Sequence, residues 1–242
     1  MQEQLLTCFV HPPVASNTFF VSLEGIEGAG KSTQVKGLVE YWSDPKHGNY
    51  RVITLREPGG TDFGEALRRA ILNQQTPLTP LAEAYLFASA RAQLLVEKIL
   101  PALLMPNTIV LLDRYIDSSL SYQGEGSGLG IDNILKIHSI YPLYFIPHIT
   151  FYLQITPELS FERQLLRQQK STTIPTTGSG TSDYFERQSV TFYRKLAQGM
   201  TKSVELFPER IRVIPGNLSV DEVFAAMIEQ WELFIGGGGR RL

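Results

Sequence analysis

Runs of consecutive apolar residues alternate along this chain with stretches whose apolar positions recur every three or four residues. Phe19-Phe20-Val21-Ser22-Leu23 is the first run. Behind it, Val35, Leu38, Val39 and Trp42 fall at helical spacing within Lys31–Trp42, and Pro45 and Gly48 end that helix. Arg51–Leu55 is a short β-rich run, Asp62–Leu72 reads as a helix, and Thr79–Leu104 as a longer one with Pro80 in its first turn and Pro101 as a late kink. Thr108–Leu112 is continuously apolar up to Asp113, the pattern of a strand buried on both faces in a parallel sheet. A helix around Ile131–Tyr141, a strand at His148–Ile155, a helix at Glu158–Gln169 opened by Pro157, a helix at Tyr184–Phe207, a strand at Arg210–Ile214 and a helix at Ser219–Phe234 complete the series. Five strands alternating with helices predict a three-layer α/β/α domain, a parallel sheet with helices on both faces. Its span is residues 19–235. Met1–Thr18 reads as a loose extension and 236–242 as a frayed tail. Lys170–Ser182, rich in Ser, Thr and Gly and poor in core formers, reads as a mobile surface loop.

The first strand run ends in Gly25, and after Ile26, Glu27, Gly28 and Ala29 come Gly30, Lys31, Ser32 and Thr33, opening the first helix. This is a phosphate-binding loop in its required setting between a strand and a helix. The glycines let successive N–H groups turn inward around a triphosphate. The Lys31 ammonium reaches the outer phosphates, the Ser32 hydroxyl can ligate magnesium, and the helix N-terminus adds partial positive charge. The chain is therefore expected to bind a nucleoside triphosphate through Gly25–Thr33.

Composition narrows the reading without redirecting it. Net charge is 22 − 24 = −2, so no bulk attraction to nucleic acid or an anionic membrane is implied. No apolar run reaches the ~20 residues of a membrane helix. One cysteine, Cys8, excludes an internal disulfide framework and fits a reducing, cytoplasmic setting. His11, His47, His138 and His148 stand at no metal-like spacing, so no zinc site is expected.

Three further stretches carry specific chemistry. Arg56-Glu57-Pro58-Gly59-Gly60-Thr61 forms a turn at a strand's C-terminal end, where open α/β sheets bind ligands. Leu86–Gln93 places Phe87 and Arg91 four apart on one helical face, and Asp113-Arg114-Tyr115 runs on to Ser121-Tyr122-Gln123-Gly124. Taken with the phosphate loop, these stretches resemble the thymidylate kinases, over roughly Phe19 to Trp231. The bacterial type is the nearer likeness, because Gly28 stands where eukaryotic-type members carry arginine.

The resemblance implies a P-loop NTPase fold with strand order 2-3-1-4-5, a homodimer, and transfer of the ATP γ-phosphoryl group to dTMP for dTTP synthesis. It implies that Glu27 faces the acceptor's sugar, that Arg56 and Arg114 hold its monophosphate, and that Phe87 and Arg91 read thymine. Ser119, Tyr122 and Gln123 complete the acceptor site. Catalysis falls to Lys31, Arg114 and the lid arginines Arg163 and Arg167, in a lid spanning about 163–187. Mg²⁺ would be held by Ser32 and Asp113, directly or through water. Two departures stand out: Tyr184 in Asp183-Tyr184-Phe185-Glu186 replaces a family arginine, and Ser127 replaces another. A kinase for a different nucleotide, and a nucleotide-binding module without turnover, stay open at this point.

Overall fold

The computed structural model describes residues 2–73, 77–170 and 190–237, with side chains left aside at 167–170. Its centre is a five-stranded parallel sheet in the order β2-β3-β1-β4-β5, built from β1 (Phe19–Glu24), β2 (Arg51–Arg56), β3 (Thr108–Asp113), β4 (Ile149–Gln154) and β5 (Ile211–Pro215). Successive residues of β3 feed opposite faces: Val110 and Leu112 enter one core with Phe20 and Tyr115, while Ile109 and Leu111 enter the other with Val21, Leu23 and Phe151. Both faces are covered by helices, which is why β1, β3 and β4 are apolar without alternation. β2 lies at the edge and is half-buried.

The helices follow the periodicity closely. Chain order runs α1 (Gln2–Leu6), α2 (Lys31–Ser43), α3 (Asp62–Leu72), α4 (Pro80–Leu94) and α5 (Leu100–Leu103). Then come α6 (Ile116–Ser119), α7 (Ile131–His138), α8 (Pro157–Lys170), α9 (Val190–Leu206) and α10 (Val220–Gly236). The long helix expected over 79–104 is interrupted earlier than its proline suggests. A π turn at Leu95–Ile99 separates α4 from α5, and Pro101 has no N–H to continue the regular ladder there. α7 stops at His138, short of the expected Tyr141, ahead of Pro142. A second π segment, Leu120–Gly126, follows α6 and has no periodic signature. Among the described residues no helix is long and apolar enough to cross a membrane.

The segment ahead of β1 is packed rather than loose. Phe9 is buried edge-on to Phe207, Val10 bridges Phe145, and His11 stacks on His148 with ring centroids 4.9 Å apart. These few anchors carry no periodicity, so their burial is visible only once the partner surface is formed. Of the expected lid, α8 is described through Lys170, with side chains as far as Leu166. The Arg167 side chain, the loop at 171–182 and Tyr184 lie outside the described residues, as does the tail beyond Gly237.

Candidate active site

In-register pairing aligns the C-terminal tips of three strands: Arg56 of β2 opposes Asp113 of β3, which opposes Leu23 of β1. Everything chemically notable hangs on this edge.

The phosphate loop leaves β1 at Gly25, whose φ of 149° lies where side chains are disfavoured and where an added Cβ would sit 2.8 Å from the Leu153 carbonyl oxygen of β4. At Gly28, with φ 79°, an added Cβ would sit 3.2 Å from the Ser160 carbonyl oxygen of α8, a tight but looser approach. The loop is thus pressed against β4 and α8 by backbone approaches that only glycine permits. Lys31, buried at the start of α2, donates to the carbonyls of Gly25 at 2.7 Å and Ile26 at 3.3 Å. Burial first, then the nearby Arg114 charge, pushes its ammonium down to about 8.

After β3 the chain turns sharply. Arg114 has φ 72°, an uncommon conformation for a side-chain-bearing residue, costing on the order of 1 kcal/mol or more. The turn is held from β1: Leu23 accepts from the Arg114 N–H at 3.0 Å, and the buried Glu24 carboxylate accepts from the Tyr115 N–H at 2.7 Å and the Ser118 hydroxyl at 2.6 Å. Burial and the neighbouring Asp117 charge push the Glu24 carboxyl up to about 7. The constraint aims the Arg114 guanidinium at Gly25 O (3.0 Å) and at Glu27 (2.9 Å), above the Tyr122 ring. Glu27 also accepts from the Tyr122 hydroxyl at 2.7 Å. Burial favours its neutral form, but Arg114, Lys31 and Tyr122 outweigh that and hold the carboxyl below its ordinary value. The acid inside the phosphate loop therefore has the partners its position demands.

Beside this ion pair opens a cleft lined by Glu27, Arg91, Arg114 and Tyr122, with Phe87 as an apolar wall. Ser119 and Gln123, both buried, line it too. Gln123 donates to Glu83 at 2.8 Å, and Ser119 accepts from Arg91 at 3.0 Å. A second cleft, on the other side of the loop, is lined by Gly28, Ala29, Gly30 and Thr33 with Arg163, Leu218 and Val220.

Two expected site residues sit differently from the rest. Arg56 is 59% exposed and paired with Glu65 at 3.2 Å, on the rim outside the cleft lining. Arg163 donates to the carbonyls of Gly28 at 3.0 Å and Gly216 at 3.1 Å, so it braces the phosphate loop against the turn after β5. Asp113 fits a metal-organising role: its Oδ1 is buried with no hydrogen-bond partner among the described residues. Ser32 stands exposed at the start of α2.

Some contributors carried no sequence signal of their own. Glu57, inside the Arg-Glu-Pro-Gly-Gly-Thr turn, accepts from Arg91 Nε at 2.7 Å. Arg68 lines the same cleft as Arg91 and Arg114 and donates to the Pro58 carbonyl at 3.2 Å. Arg68 and Glu65 lie on α3 at spacing readable only once that helix is known to face the cleft.

Comparison with known proteins adds an independent line. A family model described as thymidylate kinase matches residues 23–227. The thymidylate kinase of Thermoanaerobacter sp. (strain X514) is 40% identical over 210 residues, covering 87% of this chain and 95% of that protein. That of Caldanaerobacter subterraneus subsp. tengcongensis is 39% identical over 218 residues, covering 90% and 97%. A crystal structure of the thymidylate kinase from Ehrlichia chaffeensis superposes with a TM-score of 0.65 at 28% identity, covering 89% of this chain and 99% of that one.

Proposed function

From the premise that the chain belongs to the thymidylate kinase family, an enzyme family whose reaction converts dTMP to dTDP, we propose how its two clefts divide that work. ATP occupies the cleft along Gly28–Thr33, its adenosine toward Leu218 and Val220. dTMP occupies the cleft of Phe87, Arg91 and Tyr122, its phosphate toward Arg114. Phe87 stacks on the base and Arg91 donates to its carbonyl edge. Arg56, on the rim, swings from Glu65 to the incoming phosphate.

An oxygen of the dTMP phosphate attacks the γ-phosphorus in line; that P–O bond forms as the bond to the bridging β–γ oxygen breaks, leaving ADP and dTDP. The nucleophile is already anionic, so no general base is required. Positioning and charge neutralisation carry the rate. Lys31 and Arg114 both donate to the Gly25 carbonyl of the loop and are the groups best placed to balance charge as it moves. Arg163, holding Gly28, keeps the loop in shape; Arg167, one helical turn further along α8, is assigned to the donor phosphates as part of the same proposal. Mg²⁺ belongs to it too: the Ser32 hydroxyl and Asp113 carboxylate would hold it, and it would neutralise charge on the ATP phosphates.

A homodimer is also proposed, supported by exposed apolar side chains, Phe63, Leu81 and Tyr85, on the adjoining helices α3 and α4. A cytoplasmic setting is supported only by the lone Cys8.

The observation that carries the reading is the Glu27–Arg114 pair, which joins the phosphate loop to the acceptor cleft at 2.9 Å. ADP release measured with ATP, Mg²⁺ and each of dTMP, dUMP, UMP, CMP, AMP and thymidine tests it. Strong turnover on dTMP, weaker turnover on dUMP and none on thymidine is expected. Binding of ATP and dTMP without turnover on any acceptor would sink the catalytic reading.

A further inference from the structure

Arg91 lies at the floor of the acceptor cleft, 1% exposed, and three side chains take up its donors. Glu57 accepts from Nε and pairs with one terminal nitrogen, Ser119 accepts from the other terminal nitrogen at 3.0 Å, and His138 Nε2 lies 2.6 Å from that second nitrogen. The guanidinium is stacked 4.9 Å over the Tyr115 ring. Glu57 comes from the turn after β2 and Ser119 from α6, both already at the cleft. His138 comes from the last turn of α7, a helix that supplies no lining residue there.

Arginine has no acceptor atom, so the imidazole Nε2 must accept and the ring proton must sit on Nδ1. There it meets the Ile134 carbonyl one turn back, at 2.8 Å. Only this neutral tautomer satisfies both ring nitrogens. Burial, with the adjacent Arg91 charge, pushes the imidazole down to about 3, so the ring is uncharged wherever the enzyme works. Rotating or replacing it leaves a donor of a buried charged group unpaired, which is costly.

We propose that His138 is a positioning residue for pyrimidine recognition: by accepting from one terminal nitrogen of Arg91 it fixes the plane of the guanidinium and directs the one N–H left over, on the other terminal nitrogen, at the base. The substrate class this favours is a pyrimidine with a carbonyl at position 4, as in thymine and uracil, over one with an amine there, as in cytosine. A donor held rigidly rewards an acceptor and rejects another donor, and rigidity is what an extra buried acceptor supplies. The inference rests on the assignment of Arg91 to the base.

Steady-state kinetics on His138→Leu, His138→Gln and Arg91→Lys, with ATP and with dTMP or dCMP as acceptor, test it. His138→Leu is expected to raise the KM for dTMP about tenfold, the effect of losing one hydrogen bond to a charged group. It should also narrow the dTMP-over-dCMP ratio of kcat/KM while leaving the KM for ATP within about twofold, because α7 supplies nothing to the ATP cleft. His138→Gln, whose side-chain oxygen reaches about as far as Nε2, should restore most of the loss. In the unmodified protein, ¹⁵N spectra of labelled histidine with the rings assigned should show His138 as the Nδ1–H tautomer, distinguished from His11, whose Nδ1 faces the Ile146 carbonyl at 3.3 Å; this readout needs no variant to fold. An Nε2–H tautomer for His138 overturns the inference. So does an unchanged KM for dTMP in His138→Leu while Arg91→Lys raises it, and so does a parallel rise in both KM values that Gln does not rescue. If Arg91→Lys also leaves dTMP kinetics unchanged, the base assignment itself fails and this inference goes with it.

Discussion

Glu24 shows how a single buried side chain organises chemistry it does not touch. It sits on the last position of β1, wholly buried, and its carboxylate ties down Tyr115 and Ser118 so that Arg114 is presented in a left-handed turn. With its carboxyl raised from 4.5 to about 7 in the folded chain, the folded state binds a proton there that the unfolded chain releases. That contribution to stability is complete below the unfolded value and is lost as pH rises through the folded one. Thermal unfolding of the wild type and Glu24→Gln should therefore show the wild type's relative stability falling as pH rises from about 4.5 to about 7 and levelling above. A pH-independent difference would show that Glu24 does not titrate in this window. The same residue scale explains Glu27: an acid among phosphates is tolerable because Arg114, Tyr122 and Lys31 surround it.

At the scale of elements, the loop between β1 and α2 owes its shape to its neighbours as much as to its own glycines. Gly25 lies against the backbone of β4, which cannot retreat without breaking its pairing with β1 and β5. Gly25→Ala is expected to cost about 1–3 kcal/mol in stability, through φ strain and the clash with Leu153 O together. It should also weaken ATP binding, because the displaced segment is the one that wraps the phosphates. Urea unfolding and ATP titration of the same variant check both; full stability with normal ATP affinity would mean the loop has more slack than its contacts indicate. α8 presses on the loop from outside, with Ser160 donating to the Glu27 carbonyl at 2.6 Å and Arg163 holding Gly28. Movement of that helix would be felt directly at the phosphates.

For the whole molecule, the parallel sheet gathers the ends of β1, β2 and β3 at one edge, and the two clefts open on either side of the loop that leaves β1. Helices α3 and α4, which carry Arg68, Phe87 and Arg91 toward the acceptor cleft, also expose Phe63, Leu81 and Tyr85. In the proposed dimer, pairing of two copies through that surface would stiffen α4, the helix to which base recognition is assigned. Sedimentation equilibrium should give a mass near twice the chain's 27.1 kDa, and Tyr85→Glu should shift it toward the single-chain value. A wild-type mass of one chain across the accessible concentration range would remove the dimer from the proposal.

Sequence by itself determined the sheet, the helices and the phosphate loop, because each rests on local spacing: two-face burial, 3.6-residue periodicity, and glycines at the points of sharpest turn. Through its motifs, the resemblance to the thymidylate kinases added Glu27, Phe87, Arg91, Arg114, Ser119 and Tyr122, which the structure brings to one cleft. Tertiary structure alone decided which groups complete those motifs. Glu24 and Ser118 are 94 residues apart, Arg91 and His138 are 47 apart, and the packed segment around Phe9 meets Phe207 across most of the chain. No local pattern encodes such pairs. A histidine that looked unremarkable at the end of a helix becomes an acceptor for a buried cation only because folding places α7 beneath α4, where water is excluded and every donor must find a partner.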